Sequence, residues 1–202
     1  MYPETPAIPA HRLSMSPPFT YTALDYAGPV YVKDIYNDTN VTYKAWIFLY
    51  TCSSTRSLCL DLVPDYSAPT CIRGLRRFFS RRGTPLSILS DNGSNFTATE
   101  TQDFVTNLVI KWQFNPPASP WWGGVFERLI RSVKRCLRKV LLTAKLTYEE
   151  FLTILYEIEI ILNNRPLTFT YENPSDEMLT PNHLLFGPRL NLFSSNEVIH
   201  DH

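Results

Sequence analysis

The spacing of apolar positions along the chain changes character about a third of the way in. Residues 19–32, 43–51 and 57–63 are rich in Tyr, Thr, Val, Ile and Leu, and short polar segments separate them. This pattern is typical of consecutive strands in an antiparallel meander. Gly28-Pro29 interrupts the first of these strands, and we expect a break there.

Beyond residue 66 apolar residues recur mostly at helical spacing. The predicted elements are a helix over 67–82, a strand over 86–89, a helix over 99–108, a strand over 110–114, a helix from about 125 to 143, and a helix that begins at Thr147 and ends before Arg165-Pro166. Thr147 and Glu150 have the spacing of a capping box. Residues 115–124 (NPPASPWWGG) predict a loop.

Three strands followed by alternating helices and strands predict an α/β fold, in which helices flank a mixed sheet of five strands. A ribonuclease H-like fold requires this order of elements. Several prolines crowd residues 1–18, which we interpret as an N-terminal arm or linker. We expect the main domain over residues 19–170 and a C-terminal extension over residues 171–202.

Charge adds to this picture through its distribution. The formal net charge is zero, but 12 of the 19 Lys and Arg residues fall in the windows 73–82 and 128–145, which contain no acidic residue. Two basic stripes on a neutral protein are compatible with a polyanionic partner, although a solvated helix face is the commoner cause of such a run.

The four cysteines form no CxxC pair and have no histidine at zinc-finger spacing, so we expect reduced, buried thiols and no structural zinc. The sequence shows no signal peptide, and no apolar run approaches the roughly 18 residues that a membrane span needs. We therefore expect an intracellular protein that does not act at a membrane.

Three acidic residues are the candidates for chemistry. Asp25 falls mid-strand among uncharged neighbours, Asp91 directly follows a buried strand, and Glu127 begins the strongest predicted helix. Each has a purely structural alternative: an edge-strand Asp facing solvent, an Asp-Asn-Gly turn, and a glutamate placed at a helix start by the helix dipole. No one of them is decisive alone.

Considered together, the three acids are more informative. Asp91 and Glu127 are separated by 35 residues, and the proposed fold brings the elements that carry the three acids together. Two divalent ions held side by side need several carboxylate oxygens. An all-acid set without His or Cys fits Mg²⁺ or Mn²⁺ better than zinc.

Longer segments around these acids match a known family. They are PPFTYTALDYAGP around Asp25, ILSDNGSNF around Asp91 and WWGGVFERLIRSVKR around Glu127, with EIILNNRPLT and LTPNHLLFGPR further on. The chain resembles the catalytic core of retroviral-type integrases, whose signature is D, D and E with 35 residues between the second and third acids. Within that family it most resembles the BEL/Pao group of LTR retrotransposons.

The resemblance implies a ribonuclease H-like enzyme that trims the 3′ ends of retroelement DNA and joins them to target DNA. Asp25, Asp91 and Glu127 would hold two Mg²⁺ ions for in-line transesterification. The resemblance also implies a homo-oligomer that acts on chromosomal DNA in the nucleus. Asn163-Asn164-Arg165-Pro166 looks like a family motif at a helix end, with a structural role.

The basic residues then acquire candidate roles. Phosphate contacts near the metal site are expected from four side chains of one helix, Arg131, Lys134, Arg135 and Arg138, unless that face is simply solvated. Trp122, with Trp121, either stacks on DNA or anchors the loop to the core. The arginines of 73–82 contact either DNA or a partner subunit.

The chain also departs from the family pattern. Nothing in it could form the usual zinc-binding His/His/Cys/Cys module, and it stops soon after Arg189 without a C-terminal DNA-binding domain, so we interpret it as a core-only product. Two alternatives therefore stay open. One is a non-catalytic DNA-binding or oligomerisation module derived from an integrase, and the other is a ribonuclease H-like nuclease that acts by hydrolysis alone.

Overall fold

The computed structural model describes residues 16–34, 41–115, 120–141, 146–167 and 178–187. Its strands are β1 (Tyr21–Lys33), β2 (Thr42–Cys52), β3 (Leu58–Val63), β4 (Ser87–Ser90) and β5 (Lys111–Phe114). They form one sheet in the order β3-β2-β1-β4-β5. β1 is antiparallel to β2 and parallel to β4, while β2–β3 is antiparallel and β4–β5 parallel. The predicted mixed sheet of five strands is confirmed.

The helices are α1 (Ala68–Arg82), α2 (Ser94–Thr97), α3 (Thr99–Asn107), α4 (Pro120–Leu141), α5 (Tyr148–Asn163) and α6 (Pro181–Phe186). None of these described helices is long and apolar enough to cross a membrane. Strand and helix boundaries mostly fall within one or two residues of the sequence prediction. The predicted break in the first strand is a register shift between Ala27 and Val30, around a cis Gly28–Pro29 peptide.

The predicted loop over 115–124 is wrong at its C-terminal end, because α4 begins at Pro120 rather than near Val125. Proline is well tolerated in the first turn of a helix, where its missing N–H has no intrahelical acceptor. Gly123 and Gly124 each lower the stability of a helix by about 1 kcal/mol relative to alanine. An amphipathic helix of 22 residues can form despite this loss. The short helices α2 and α6 were not predicted as elements.

Helices cover both faces of the sheet, and each face has its own apolar core. On one face β1, β2 and β3 pack against α4 and α5, with Leu129, Val133 and Leu155 in the interface. The other face packs against α1 and α3 and is rich in aromatic rings, among them Phe48 and Phe78. The sandwich therefore places α4, the helix that carries Glu127, over the face of the sheet that holds the first core.

Helix α5 starts and ends with specific polar contacts. The predicted capping box is confirmed: the Thr147 N–H donates to Glu150 Oε2 at 2.8 Å, and the Glu150 N–H donates to Thr147 Oγ1 at 3.3 Å. At the other end the Asn164 amide oxygen accepts a bond from Asn182 in α6 at 2.8 Å. Arg165 donates to the carbonyl of Arg56 at 2.6 Å. The structural role predicted for the Asn163–Pro166 motif is confirmed by these contacts.

Side chains of α5 also close the free edge of β3. Asn163 accepts a bond from the Leu58 N–H at 2.7 Å and donates to the Leu58 carbonyl at 2.9 Å. Glu159 accepts from the Leu60 N–H at 2.7 Å and pairs with Arg82 at 2.9 Å. Burial nevertheless raises the pKa of Glu159, because desolvation outweighs these favourable contacts. The edge strand thus finds its hydrogen-bond partners in a helix instead of a further strand.

We expect Asn163→Ala to destabilise the protein by about 2–4 kcal/mol, because it leaves a buried N–H and a buried carbonyl of Leu58 without partners. Urea unfolding measures the loss. Glu157→Ala, an exposed change on the same helix, is the control and should stay within about 0.5 kcal/mol of the wild type. Equal stability of the two variants would contradict the assignment.

Candidate active site

The parallel pairing of β1 with β4 brings two of the predicted acids together. Its register pairs Tyr21 with Ser87, Thr22 with Ile88 and Ala23 with Leu89. Two residues further along each strand are Asp25 and Asp91. Because parallel strands advance in step, the register places these two acids side by side, where β4 ends and β1 continues. The register therefore brings the backbones of Asp25 and Asp91 alongside each other, and the catalytic role of the two acids stays a prediction.

Tyr66, in the connection between β3 and α1, provides a second indication that the two carboxylates are close. The pKa of its phenol is raised to about 12, first by burial and then by the negative charges of Asp91 and Asp25, in that order. Both carboxylates therefore act on the same hydroxyl. Sequence reasoning missed Tyr66, since nothing in a Tyr-Ser dipeptide before a helix predicts contact with residues 25 and 91.

Asp25 lies in the central strand, so the alternative of an edge-strand residue is wrong. Its Oδ1 accepts a hydrogen bond from the N–H of Tyr26 at 2.6 Å, and the residue is partly exposed. The Tyr26 ring points to the other face of the sheet, where it stacks on Phe48 at 4.3 Å between ring centroids. A buried ring next in sequence thus anchors a carboxylate that faces a cleft.

Asp91 occupies an exposed turn directly after β4. Its Oδ1 accepts a hydrogen bond from the Gly93 N–H at 3.0 Å, so the Asp-Asn-Gly turn predicted from the sequence is present. The turn is also tied to the end of β5, because the Asn92 side chain donates to the Asn115 carbonyl at 3.2 Å. The structural and functional interpretations of Asp91 are compatible, since the turn holds the carboxylate at the sheet edge.

A cleft of about 830 Å³ opens beside Asp25. Its lining consists of Asp25, Tyr26 and six residues of α4, namely Arg128, Ile130, Arg131, Ser132, Lys134 and Arg135. Three of the four cations predicted to bind DNA thus share a cleft with one of the predicted catalytic acids. Arg128 is a further cation in this lining; its place directly after Glu127 in the basic window was the signal that could have identified it.

Three predicted site residues lie partly outside what the structure describes. Glu127, Trp122 and Arg138 belong to α4, but their side chains are not among the described ones. The backbone of Glu127 directly precedes Arg128, which lines the cleft. Among the described side chains, no three acidic, histidine or cysteine groups converge as a metal site would require. The third acid of the predicted site therefore stays a prediction.

The described part of the site fits a hard divalent cation in its donor chemistry. Asp25 and Asp91 supply carboxylate oxygens only, which Mg²⁺ and Mn²⁺ prefer. Two adjacent carboxylates repel each other, and a cation between them removes this repulsion.

The cysteines are free, and Cys52, Cys59 and Cys71 are buried, in agreement with the prediction of structural thiols.

The second basic window, residues 73–82, is engaged within the molecule. Arg77 pairs with Asp61 at 2.7 Å and Arg82 with Glu159 at 2.9 Å. Arg76 lies over the Phe104 ring and Arg81 over the Tyr156 ring, at 5.4 and 5.9 Å from the centroids. Arg73 donates to Thr70 at 2.6 Å. These contacts give the run a role in the fold and leave open whether it also contacts a partner.

Comparison with known proteins shows similarity to integrases and to retroviral polyproteins. The family model for the integrase core domain matches residues 25–120, a range that begins at Asp25 and includes Asp91. The Gag-Pol polyprotein of gibbon ape leukemia virus is 25% identical over 158 residues, 78% of this chain. The chain spans only 8% of the length of that polyprotein.

Solved structures show the fold. A chain of the simian T-cell lymphotropic virus intasome, solved with the PP2A regulatory subunit B56 gamma, matches with a TM-score of 0.64 at 18% identity, covering 92% of this chain and 61% of that one. The HTLV-2 integrase catalytic core in complex with magnesium, in a trimeric form, matches with a TM-score of 0.58 at 21% identity, covering 83% and 97%.

The architecture and these neighbours define a ribonuclease H-like fold of the kind found in integrase catalytic cores. The family match and the polyprotein relatives show that the chain is similar to retroviral-type integrases.

We expect Asp91→Asn to raise the melting temperature of the metal-free protein by about 2–4 °C, because it removes a like-charge repulsion worth about 1 kcal/mol. The variant should also lose most of the rise in melting temperature that Mg²⁺ gives the wild type, since ligand binding stabilises only the state that binds. Differential scanning calorimetry with and without Mg²⁺ measures both.

The control for this measurement is Asp103→Asn, an exposed change on α3, which should keep the wild-type response to Mg²⁺. An identical response to Mg²⁺ in the Asp91 and Asp103 variants would show that Asp91 holds no cation.

Proposed function

We propose that this chain is the catalytic core of an LTR-retroelement integrase, which processes DNA 3′ ends and transfers them to target DNA. Asp25, Asp91 and Glu127 are the proposed catalytic acids. Both steps are in-line displacements at phosphorus. In the first, water hydrolyses a phosphodiester and a DNA 3′-hydroxyl leaves; in the second, the new 3′-hydroxyl attacks target DNA in a transesterification that releases a 3′-hydroxyl of the target strand. The observation that carries this proposal is the β1–β4 register, which brings Asp91 alongside Asp25, the acid that lines a cleft together with cations of α4.

The residues of the cleft have complementary tasks in this reaction. Arg128, Arg131, Lys134 and Arg135 line it from one helix and offer charge-assisted hydrogen bonds to phosphate oxygens. Such contacts set the position and direction of a nucleic acid strand without reading its sequence. The N–H of Tyr26 orients the Asp25 carboxylate, and the N–H of Gly93 orients that of Asp91. The chain thus positions the reacting phosphate next to preoriented acids.

The proposed ligands of two Mg²⁺ ions are Asp25, Asp91 and Glu127. When bound, the ions would activate the attacking oxygen and stabilise the leaving one. The HTLV-2 catalytic core was solved in complex with magnesium, which supports the choice of ion. The carboxylate-only donor set of Asp25 and Asp91 supports it independently.

The retroelement group and two further DNA contacts are also proposals. The segments quoted from the sequence favour the BEL/Pao group. Arg138 and Trp122 are proposed to contact DNA together with the other residues of α4. The HTLV-2 core has been solved in trimeric and dimeric forms, and an intasome is among the structural neighbours. We therefore propose a homo-oligomer acting on DNA in the nucleus, with residues 19–170 as core between an arm and an extension.

Replacing the third acid tests the proposal directly. We expect Glu127→Gln to lower the rate of disintegration, in which a core rejoins a branched DNA substrate, by about a hundredfold or more with either Mg²⁺ or Mn²⁺. The physical reason is loss of a negative charge that the metal ions require. Glu157→Gln, an exposed change on α5, is the matched control and should keep the wild-type rate.

The same assay separates the alternatives. Folded wild-type protein that binds DNA but is inert with both metals would indicate a non-catalytic module. Cleavage without any joined product would indicate a nuclease that acts by hydrolysis. A joined product that persists in Glu127→Gln would remove Glu127 from the proposed set of acids.

The cation wall makes a separate prediction about salt. We expect Lys134→Ala to weaken binding to duplex DNA and to reduce the slope of log affinity against log salt by about 0.9, the value for one phosphate contact. Lys139→Ala is the matched control, because Lys139 is an exposed lysine of the same helix that is absent from the lining of the cleft. Fluorescence anisotropy over a salt series measures both slopes, and equal slopes would argue against a phosphate contact at Lys134.

A further inference from the structure

Tyr66 lies next to Asp91, although it is not one of the three proposed catalytic acids. It lies in the turn between β3 and α1, and the next residue, Ser67, caps α1 by accepting from the Thr70 N–H at 3.4 Å. The Asp65 carboxylate accepts a hydrogen bond from the Ser67 N–H at 2.9 Å. The Tyr66 ring meets the Tyr26 ring edge-on, with 4.7 Å between centroids. Hydrogen bonds of the two neighbouring residues therefore fix its backbone, and the contact with Tyr26 fixes its ring.

The hydroxyl of Tyr66 reaches the turn that carries Asp91. A Cβ placed on Gly93 would lie 2.5 Å from the Tyr66 hydroxyl oxygen and 3.2 Å from Asp91 Oδ1. Asn95 Oδ1 would lie 2.9 Å from the same point. The phenol, the Asp91 carboxylate and the Asn95 amide thus surround one glycine, in space that a methyl group would fill.

The need for glycine at position 93 comes from this crowding and not from the backbone. Gly93 has φ −54° and ψ 141°, which any L-amino acid adopts. The cost of a side chain here is therefore a steric one, and Tyr66 contributes the nearest of the atoms that cause it.

We propose that Tyr66 is a positioning residue of the acidic site: its hydroxyl packs against the Asp91–Gly93 turn and offers a proton donor to the side of the paired carboxylates. The ring contact with Tyr26 sets the place of this hydroxyl, and Tyr26 is the residue that follows Asp25. One phenol thus links the strand of the first acid to the turn of the second. This proposal rests on the proposed function, because it concerns how the acids are arranged for metal ions.

Removal of the hydroxyl alone tests the proposal. Tyr66→Phe keeps the ring contact with Tyr26, and we expect it to weaken Mn²⁺ binding about tenfold, as loss of a group that orients metal ligands does. Isothermal titration with Mn²⁺ measures the affinity, and the melting temperature without metal should stay within a few degrees of wild type. Tyr31→Phe, an exposed tyrosine of β1, is the control and should bind Mn²⁺ like the wild type.

A double-mutant cycle tests the contact without metal. Gly93→Ala should lower the melting temperature, because its methyl group meets the Tyr66 hydroxyl. Adding Tyr66→Phe to Gly93→Ala should restore part of that loss, since it removes the nearest colliding atom. Additive or worse destabilisation in the double variant would show that the hydroxyl does not press on the turn, and would overturn the proposal.

The outcomes separate this proposal from the proposed function. If wild type and Tyr66→Phe bind Mn²⁺ equally while Asp91→Asn does not bind, Tyr66 has no positioning role and the acidic site stands. A Tyr66→Phe variant that binds Mn²⁺ normally but binds DNA more weakly would make the hydroxyl a DNA contact and overturn the proposal. If wild type binds no Mn²⁺ at all, both the positioning role and the proposed function fail.

Discussion

The parallel register between β1 and β4 is the constraint on which the rest of the candidate site depends. β1 is the central strand, with β2 on one side and β4 on the other, so its position is specified from both sides. A slip of one residue would turn every side chain of β4 to the opposite face, and Ile88 would leave the aromatic core. Core packing thus maintains the register, and the register in turn keeps Asp25 beside Asp91.

Placing two carboxylates together is unfavourable, and the surroundings reduce that cost. Each acid accepts a hydrogen bond from a backbone N–H close by in sequence, Asp25 from Tyr26 and Asp91 from Gly93. Such bonds to ionised oxygens are stronger than neutral ones. Across the cleft α4 presents Arg128, Arg131, Lys134 and Arg135. The site is therefore prepared for anions on one wall and for cations on the other, as a metal-dependent reaction at a phosphate requires.

Much of this arrangement could be predicted because it is encoded locally. Within the described residues, apolar patterns identified all five strands and four of the six helices, and the Thr147–Glu150 spacing identified a capping box that forms. The nearness of Asp25 to Asp91 followed from the order of elements once a ribonuclease H-like sheet was assumed. Glu127 was a candidate from its place at the start of a predicted helix and its spacing from Asp91, and the family-like segments strengthened that prediction.

What could not be predicted depends on contacts distant in sequence. Asn163 bonds to Leu58 and Arg82 pairs with Glu159, and neither partner is visible from the local pattern. Tyr66 meets the Asp91 turn only because the connection between β3 and α1 and the turn after β4 come together in the fold. The start of α4 was misjudged because Pro and Gly signals normally mark loops, whereas a proline in the first helical turn fits a helix equally well.

The formal net charge of zero conceals an asymmetry that emerges only in the folded chain. The two basic windows resemble each other in sequence, but the arginines of 73–82 contact Thr70, Phe104, Asp61, Tyr156 and Glu159 within the same molecule. An arginine already paired with a carboxylate adds little potential for a polyanion, because the pair is nearly neutral at a distance. The cations of α4 line a cleft in which Asp25 is the one acid among the described lining residues. Carboxylates thus pair with Arg77 and Arg82 of the first window, whereas the described cations of α4 lie in the cleft beside Asp25.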